Sequence, residues 1–281
     1  MLLGPALVMV LTFYIAPLVL LVGMSFFHWP MLGEIRPAGL ENYSRAFGDA
    51  GLADALRFTL GFTLALVPIS LLTSYGGALL VRRNRPGTGF FRTSLFLPVA
   101  IGFTAAAYMA SVLLTPGTGV VNQILAALGL TDGRTTWFSN TTTAFWAVVV
   151  ITVWKSMGVA MILLMAGMQA IDGELLAAAK IDGAGWWRRE TAIILPLIRP
   201  SLALCLVLTL SGTFLTFDQF YVLTKGGPAG STITAVMLTY AESFIRYRMG
   251  YGAAVSIIIS VIIIAITVVQ LVAIRRRGAR A

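Results

Sequence analysis

The sequence predicts an all-α membrane protein with six transmembrane helices, and two observations support that prediction. Of its 281 residues, 58% are apolar and only 11% are charged, a balance far outside the range of water-soluble domains. The apolar residues also form six continuous runs, each long enough to cross a bilayer as a helix of about 20 residues. These runs are too long and too uniform for the strands of a membrane β-barrel.

The six runs set the expected order of the elements. Pro68 falls inside the second run and predicts a kink there. The first run begins at Met1, is longer than the apolar core of a secretory signal and has no small-residue cleavage site. We therefore expect a retained span, and a start site upstream of Met1 stays open. The runs cover approximately Leu2 to Phe27, Leu56 to Val81, Thr93 to Leu114, Thr143 to Met168, Leu202 to Leu223 and Ala253 to Ile274.

Basic residues divide unequally between the two sets of loops. One set carries twelve Arg and Lys against four Asp and Glu, a net charge of +8, whereas the other carries seven against six, a net charge of +1. Because cytoplasmic loops are enriched in Arg and Lys, the first set and both termini are predicted to be cytoplasmic. Its basic residues are Arg82, Arg83, Arg85, Arg92, Lys180, Arg188, Arg189, Arg199, Arg275, Arg276, Arg277 and Arg280.

Residues that carry chemistry are sparse. Cys205 and His28 are each the only residue of their type, so the sequence predicts neither a disulfide nor a metal cluster. The chain has no GxxxxGK[ST] phosphate-binding loop. We therefore expect no catalytic residue and no bound cofactor, and the clustering of basic residues between spans argues against a nucleic-acid partner.

One polar stretch, residues 172–200, separates the fourth and fifth runs and is called the signature loop below. Its first part, Glu174 to Ile181, is rich in Ala and Leu and predicts a helix that ends at Gly183. A second amphipathic stretch from Trp186 to Leu195 suits a membrane surface. The residues alone leave two alternatives, which are an interfacial hairpin without a partner and a docking surface.

The order AAAKIDGA over residues 177–184, with Ile194, Leu195 and Pro196 following, resembles the signature cytoplasmic loop of permease subunits of binding-protein-dependent ABC importers. Other segments are similar to the carbohydrate-uptake branch, which includes maltose-type and glycerophosphate-type permeases. The resemblance implies the type I ABC importer permease fold, with one transmembrane domain over residues 1–281. These segments are GLENY at 39–43, RTSLFLP at 92–98, Trp137, AGMQAI at 166–171, LTKGGP at 223–228 and MGYGAA at 249–254.

The resemblance also implies partners. A coupling helix in the signature loop would sit in a groove of a separate ATPase, which uses the ATP. The family presents a Glu where this chain has Ala177, and Glu174, one helical turn earlier, is the hypothetical replacement. The implied assembly has a second permease subunit, two cytoplasmic ATP-binding subunits and an extracytoplasmic substrate-binding protein, in a bacterial or archaeal plasma membrane. The implied coupling residues are Glu174, Ala177, Ala178, Ala179, Asp182, Gly183, Ala184 and Pro196.

Two charged residues, Lys155 and Asp218, fall inside predicted spans, where a charge costs roughly 2.5–3.5 kcal/mol. They either pair across the bundle, lie near its external end where the side chain reaches water, or line a path. Similar permeases line their path with the fourth and fifth spans, although simple packing is an alternative for each side chain. The candidates are Trp154, Lys155, Ser156, Ser211, Thr213, Thr216, Phe217, Asp218 and Tyr221.

A turn at Lys225, Gly226, Gly227 and Pro228 lies in the region that approaches the binding protein in the family, and a plain turn is the alternative. The resemblance thus predicts one half of an importer pathway for a sugar, or alternatively for a glycerol-3-phosphate-type solute. A secondary transporter is a rival class, but few intramembrane carboxylates and no detectable inverted repeat argue against it. A membrane-embedded enzyme would need clustered reactive side chains, which the sequence lacks.

Overall fold

The protein is described by a computed structural model that covers the backbone of residues 4–82 and 86–278 and the side chains up to residue 272. The predicted start at Leu2 and the basic residues Arg83, Arg85 and Arg280 lie outside the described residues. Within them, five helices are long and apolar enough to cross a membrane, and a bent pair of helices makes a sixth candidate. The five run Gly4–Ser25, Ala50–Val81, Thr141–Gln169, Arg199–Leu223 and Met249–Val272.

These helices confirm five of the predicted spans to within a few residues. The second span begins six residues before its predicted start at Leu56, at Ala50. Asp49 explains the difference, because its Oδ1 accepts hydrogen bonds from the amides of Gly51 (2.8 Å) and Leu52 (3.4 Å) and so caps the first turn. Pro68 lies inside this helix, which continues through it.

The third predicted span, Thr93 to Leu114, is the main departure from the sequence-based expectation. The structure has two arms here, Thr88–Ala100 and Phe103–Leu113, bent by 103°. Pro98 opens a short 3₁₀ turn at Leu97–Ala100, and the chain is then extended through Ile101 and Gly102. Because proline lacks an amide donor and two extended residues redirect the chain, the helix does not continue straight. These two arms are called the bent pair below.

The fifth span is also interrupted. It consists of the helices Arg199–Phe214 and Asp218–Leu223, with residues 215–217 outside both. The first span carries a π-helical turn at Leu11–Ile15 between Gly4–Val10 and Ala16–Ser25, and the last helix continues to Gly278. A continuous apolar run therefore predicted each span's position but not these interruptions.

By packing, the chain divides into two compact units, and the first comprises residues 1–59 and 233–268. After the first span, two short antiparallel strands pair Phe27 with Pro37 and His28 with Arg36. The helix Glu41–Gly48 follows, and its buried Asn42 amide donates to the carbonyls of Ser25 (2.9 Å) and Phe27 (3.0 Å). Asn42 therefore holds this helix against the end of the first span.

The first unit also contains a helix that the sequence analysis left as loop. It runs Ala235–Tyr240 and continues as a π-helical turn, Ala241–Ile245. Thr234 caps it by accepting a hydrogen bond from the amide of Met237, at 3.2 Å. The stretch is too short to span a bilayer, so a search for membrane-length runs does not find it.

The second unit comprises residues 60–232 and 269–281. The fourth span packs closely on its neighbours through small residues. A Cβ atom added at Gly158 would lie 2.9 Å from the carbonyl oxygen of Leu95, and one added at Gly167 would lie 2.9 Å from the Cβ of Ser201. Glycine at both positions therefore allows the close approach that membrane helices use in place of the hydrophobic effect.

The remaining elements of the second unit are short. Val120–Ala127 follows the bent pair, and Gly173–Ile181, Trp186–Arg189, Glu190–Ile194 and Leu195–Leu197 form the signature loop. The buried Asn122 donates to the carbonyls of Leu114, Thr115 and Thr135 and accepts from Trp137 Nε1 at 2.9 Å. This tryptophan therefore helps to hold the segment between the bent pair and the fourth span.

Candidate functional site

A cavity of about 270 Å³ lies inside the second unit, among the bent pair, the fourth span and the fifth span. Lys155 on its wall is fourteen residues from each end of the helix Thr141–Gln169, or roughly 21 Å at 1.5 Å per residue. Asp218 lies on the same wall, at the first residue after the break in the fifth span. One positive and one negative side chain therefore border the same cavity.

These two charged side chains do not pair directly with each other. The Lys155 ammonium lies 4.1 Å from the centre of the Phe103 ring, a cation–π contact. The Asp218 carboxylate accepts a hydrogen bond from Thr104 Oγ1 at 2.9 Å. Both partners are the first residues of the second arm of the bent pair. The bend that the sequence did not predict therefore places Phe103 on the cavity wall and Thr104 beside Asp218.

Four other predicted pathway residues line this cavity, namely Ser156, Thr213, Thr216 and Phe217. The hydroxyls of Ser156 and Thr213 donate to carbonyls of their own helices, at 2.6 Å each. Each hydroxyl oxygen keeps acceptor capacity after this bond. These two hydroxyls are thus bonded to their own helix backbones, and the two residues also border the cavity.

Three other predicted pathway residues, Trp154, Ser211 and Tyr221, are not among the residues that line this cavity. Trp154 lines a separate apolar cavity of about 540 Å³ with Trp137 and Trp146. Neighbouring residues on a helix point about 100° apart, so Trp154 and Lys155 face different directions. Tyr221 instead stacks on Phe217, with ring centres 4.9 Å apart and an interplanar angle of 18°.

The structure also adds cavity residues that the sequence analysis missed. Gln219 is buried and lines the wall beside Asp218, and Phe103, Thr152 and Thr209 line it as well. Gln219 could have been predicted as a pathway residue, since it is an amide next to a charged residue in an apolar run. Phe103 could not, because a phenylalanine in an apolar run is common and only the bend places this one at the cavity.

The first part of the signature loop is the predicted helix, observed as Gly173–Ile181. Asp172 caps its start by accepting from the amide of Glu174 at 2.9 Å. Its end is a left-handed turn at Gly183, with φ of +76°, where the amide of Ala184 donates to the Ala179 carbonyl at 2.9 Å. The prediction of a helix stopped by Gly183 is confirmed.

One face of this helix holds it to the protein and the other is exposed. Leu176 packs on the buried cluster that includes Met165, Met168 and Ile194. On the opposite face, Glu174, Ala177 and Ile181 are exposed, and Ile181 is 87% exposed. Among the other residues implied by the resemblance, Ala178, Asp182 and Gly183 are exposed, whereas Ala179, Ala184 and Pro196 are half-buried.

The second part of the signature loop is helical from Trp186 to Leu197, as predicted for residues 186–195, with a π-helical turn at Glu190–Ile194. Trp187 is 73% exposed, whereas Glu190 is only 3% exposed. Glu190 receives hydrogen bonds from Tyr75 of the second span and from Arg82, the residue that directly follows this span. The sequence analysis counted Glu190 only as a loop charge and missed this role.

The turn at residues 225–228 is held by internal hydrogen bonds. Lys225 and Gly226 have φ values of +50° and +82°, and the Gly227–Pro228 peptide bond is cis. The buried Thr232 hydroxyl donates to the Gly227 carbonyl at 2.6 Å. The turn therefore has a defined shape, and Lys225 is exposed on it.

Comparison with known proteins identifies the family. Residues 1–278 match the family described as binding-protein-dependent transport system inner membrane component. The sulfoquinovosyl glycerol transport system permease protein SmoG of Agrobacterium fabrum is 32% identical over 280 residues, which are 99% of this chain and 90% of that protein. The trehalose/maltose transport system permease protein MalF of Thermococcus litoralis is 31% identical over 268 residues, 95% of this chain and 90% of that protein.

A solved structure shares the fold. A chain of a bacterial ABC transporter involved in the import of the acidic polysaccharide alginate superposes with a TM-score of 0.83 at 24% identity, covering 98% of this chain and 94% of that chain. The family match spans nearly the whole chain, and the apolar helices agree with it. The chain belongs to the inner-membrane permease components of binding-protein-dependent ABC transport systems.

Proposed function

We propose that this chain forms one half of the membrane pathway of an ABC importer for a sugar or sugar-like solute. The observation that carries the proposal is the cavity, in which Lys155 and Asp218 both border the same space with uncharged partners. A charge kept inside a membrane protein without a direct counter-charge is expensive, so such residues usually serve transport.

The cavity chemistry suits a polyhydroxyl compound. Sugar hydroxyls both donate and accept hydrogen bonds, and Asp218 accepts, Lys155 donates, and the Gln219 amide does both. The Phe217 ring supplies an apolar face on the same wall, where the C–H side of a sugar ring packs. At about 270 Å³ the cavity is near the lower end of the ~300–1,000 Å³ range of ligand pockets. That volume suits about one sugar unit at a time.

An anionic solute of the glycerol-3-phosphate type is the second candidate. Lys155 favours it, because an ammonium in a poorly hydrated cavity attracts phosphate. Asp218 on the same wall opposes it, because a carboxylate repels the same phosphate. The balance of the two charges makes a neutral sugar the leading proposal.

The energy would come from ATP hydrolysed by two cytoplasmic subunits on separate chains, while this chain binds no cofactor of its own. Support comes from the exposed face of the helix Gly173–Ile181, on which the small side chain of Ala177 permits close approach of another protein. Glu174 lies on that face, where it would replace the carboxylate that the family presents at position 177. Both termini would then be cytoplasmic, in a bacterial or archaeal plasma (inner) membrane.

Two further partners complete the proposed assembly. A second permease subunit would provide the other half of the pathway. An extracytoplasmic substrate-binding protein would deliver the solute near the turn at residues 225–228, whose internal hydrogen bonds give a defined surface.

The solute proposal is tested by uptake into proteoliposomes that contain the complete complex. The probes are radiolabelled maltose, trehalose and sn-glycerol-3-phosphate, each with the cognate binding protein. Lys155→Met and Asp218→Asn should each lower sugar uptake about ten-fold, because each removes a charged hydrogen-bonding group. Arg134→Gln, which removes an exposed cation outside the cavity, is the matched control.

Three outcomes decide the solute. Sugar uptake that falls with both variants supports the proposal. Uptake of glycerol-3-phosphate alone, lost with Lys155→Met, replaces the sugar with the anionic candidate. Uptake of none of the three probes, in a complex whose ATP hydrolysis the binding protein stimulates, overturns the solute class.

ATPase docking is tested by co-purification of the ATPase subunits with the tagged permease. Deleting residues 174–184 should abolish co-purification while the chain still inserts into membranes. Glu174→Ala should weaken it if Glu174 replaces the missing carboxylate, and Arg188→Gln, an exposed charge later in the loop, is the control. Unchanged co-purification with Glu174→Ala would remove Glu174 from the docking surface, and unchanged co-purification with the deletion would overturn the docking proposal.

A further inference from the structure

Glu190 is a buried carboxylate in the mostly exposed signature loop, and neither the cavity nor the docking face uses it. Its side chain is 3% exposed. A buried carboxylate is unfavourable unless it is paired and hydrogen-bonded. Arg82 Nη2 donates to its Oε1 at 2.5 Å, and Tyr75 Oη donates to its Oε2 at 2.8 Å. Both carboxylate oxygens therefore bind the second span.

The local backbone explains why Glu190 points inward. The loop forms a π-helical turn over Glu190–Ile194, closed by a hydrogen bond from the Leu195 amide to the Glu190 carbonyl. A π-helical turn inserts one residue into a helix and so rotates the residues around it, and such turns are frequent at functional sites. Glu190 and Ile194 are the two buried residues of this turn.

The end of the second span is also where two other elements of the second unit converge. Gln169, the last residue of the fourth span, donates through Nε2 to the Arg82 carbonyl at 3.5 Å. Arg92, on the first arm of the bent pair, donates through Nη2 to the Val81 carbonyl at 3.2 Å. The second span, the fourth span and the bent pair all contribute residues to the cavity wall. A movement at Arg82 would therefore reach elements that shape the cavity.

We propose that Glu190 is a positioning residue that transmits movement of the signature loop to the second span through Arg82 and Tyr75. The inference rests on the proposed function, because it assumes that an ATPase moves the helix Gly173–Ile181. Leu176 also attaches the signature loop to the second unit, but its contact is apolar packing, which is non-directional. A buried, charge-assisted hydrogen bond is directional and is strengthened by its poorly hydrated surroundings.

The experiment measures ATP hydrolysis and cavity opening separately in the reconstituted complex. Gly212 lines the cavity and an added Cβ there would meet no atom within 4 Å, so Gly212→Cys provides a reporter for labelling by fluorescein maleimide. The chain's single native cysteine, Cys205, is only 1% exposed and should not react. The readout is the change in labelling rate when ATP is added.

In this background, Glu190→Gln and Arg82→Gln should each reduce the ATP-dependent change in labelling about ten-fold, while ATP hydrolysis stays within about two-fold. The double variant should be no worse than either single variant, because both remove the same link. Tyr75→Phe removes one hydroxyl and keeps the ion pair, so its loss should be smaller. Arg188→Gln, an exposed charge in the same loop, should leave both measurements unchanged.

The outcomes separate this inference from the proposed function. If the complex with only the reporter shows no ATP-dependent labelling change and no ATP-driven uptake, the proposed function fails. If that complex responds and Glu190→Gln responds equally, or if the two single effects add in the double variant, only the inference is overturned. Should Glu190→Gln fail to assemble, Tyr75→Phe decides, and a labelling response equal to that of the reporter alone overturns the link.

Discussion

Two pairs of opposite charges in the second unit have opposite arrangements. Arg82 and Glu190 touch each other at 2.5 Å and are mostly buried, with exposed fractions of 17% and 3%. Lys155 and Asp218 border one cavity, yet each contacts an uncharged partner from the bent pair. The first pair binds the signature loop to the second span, whereas the second pair leaves two charged groups facing the same space.

The difference shows how burial cost and function are related in this protein. A direct, hydrogen-bonded pair offsets much of the desolvation of its two charges, so breaking it removes structural stability. Charges that stay apart in a membrane protein have no such compensation, which favours a role in binding solute. We therefore expect that removing a charge from the first pair lowers the stability of the protein, whereas removing a charge from the second pair does not.

The largest expected effect is on folding. Glu190→Ala should destabilise the protein by roughly 3–5 kcal/mol, because Arg82 and Tyr75 lose a buried acceptor. Lys155→Met should leave stability unchanged or raise it, since it removes an expensive charge. Thermal unfolding of the detergent-solubilised proteins measures both. The expected difference between the two charge pairs is wrong if Lys155→Met lowers stability as much as Glu190→Ala does.

A second prediction tests the glycine turn that ends the first helix of the signature loop, and it changes neither charge pair. Gly183 has φ of +76°, a conformation in which a β-branched side chain is strained by about 1–3 kcal/mol. Gly183→Val should shift the end of the helix Gly173–Ile181 and reduce uptake per ATP hydrolysed. Gly183→Asn is the matched control, because asparagine tolerates this conformation better. Robust uptake by the valine variant would contradict the role assigned to this turn.

A third prediction concerns the hydrogen bond that Thr104 donates to Asp218. Thr104→Val removes the hydroxyl donor at 2.9 Å and keeps the size of the side chain. A hydrogen bond to a charged group contributes about 1.5–3 kcal/mol, so the concentration of solute for half-maximal uptake should change at least ten-fold. Thr115→Val, which loses a hydroxyl bond to the Ser111 carbonyl outside the cavity, is the control. An equal effect of both variants would show that the change is not specific to the cavity.

The smallest expected effect is in the first unit, where hydrogen bonds hold the half-buried carboxylate of Asp49. Burial raises the pKa of Asp49, but hydrogen bonds from Tyr251 and from the amides of Gly51 and Leu52, together with the Arg45 charge, lower it overall. A lowered pKa in the folded state stabilises the protein above the unfolded pKa of about 3.9, and this contribution is lost as the pH falls through the folded value.

Solvent screening limits the Asp49 contribution to less than about 1 kcal/mol. Asp49→Asn should therefore flatten the loss of stability between about pH 5 and pH 3, as measured by chemical unfolding at each pH. Asp54→Asn removes an exposed carboxylate that pairs with Arg57 and should change the profile less. If the stability of Asp49→Asn fell more steeply with decreasing pH than that of the unchanged protein, Asp49 would not stabilise the fold in this way.

Much of the fold could be predicted because membrane crossing imposes a simple rule on the sequence. A helix satisfies all of its backbone hydrogen bonds within itself, and about 20 apolar residues are needed for it to cross the lipid. The helices Thr141–Gln169 and Arg199–Leu223 could therefore be predicted from apolar runs of that length. The helix of the signature loop was equally local, since the Gly183 turn depends on neighbouring residues alone.

The bend at Ile101 and Gly102 was not predicted, although Pro98 was in view, because proline is compatible with a continuous membrane helix when its neighbours satisfy the freed carbonyls. Whether they do depends on residues that are distant in sequence. That bend places Phe103 against Lys155 and Thr104 against Asp218. Trp154 and Tyr221, two of the predicted pathway residues, do not line the cavity, and the sequence could not show this because hydropathy does not encode the rotation of each span about its axis.

By itself, the sequence determined that the chain spans a membrane, approximately where its membrane-length helices lie, and that a more polar loop with its own helix separates the fourth span from the fifth. Those properties follow from composition and from contacts within one or two helical turns. The tertiary structure alone decided which polar groups meet. The partners of Glu190 are 108 and 115 residues away, and Thr104 meets Asp218 across 114 residues. Such contacts depend on helix rotation and packing, which hydropathy does not encode. Only the fold therefore distinguished the charged residues that border the cavity from those that attach the signature loop to the second span.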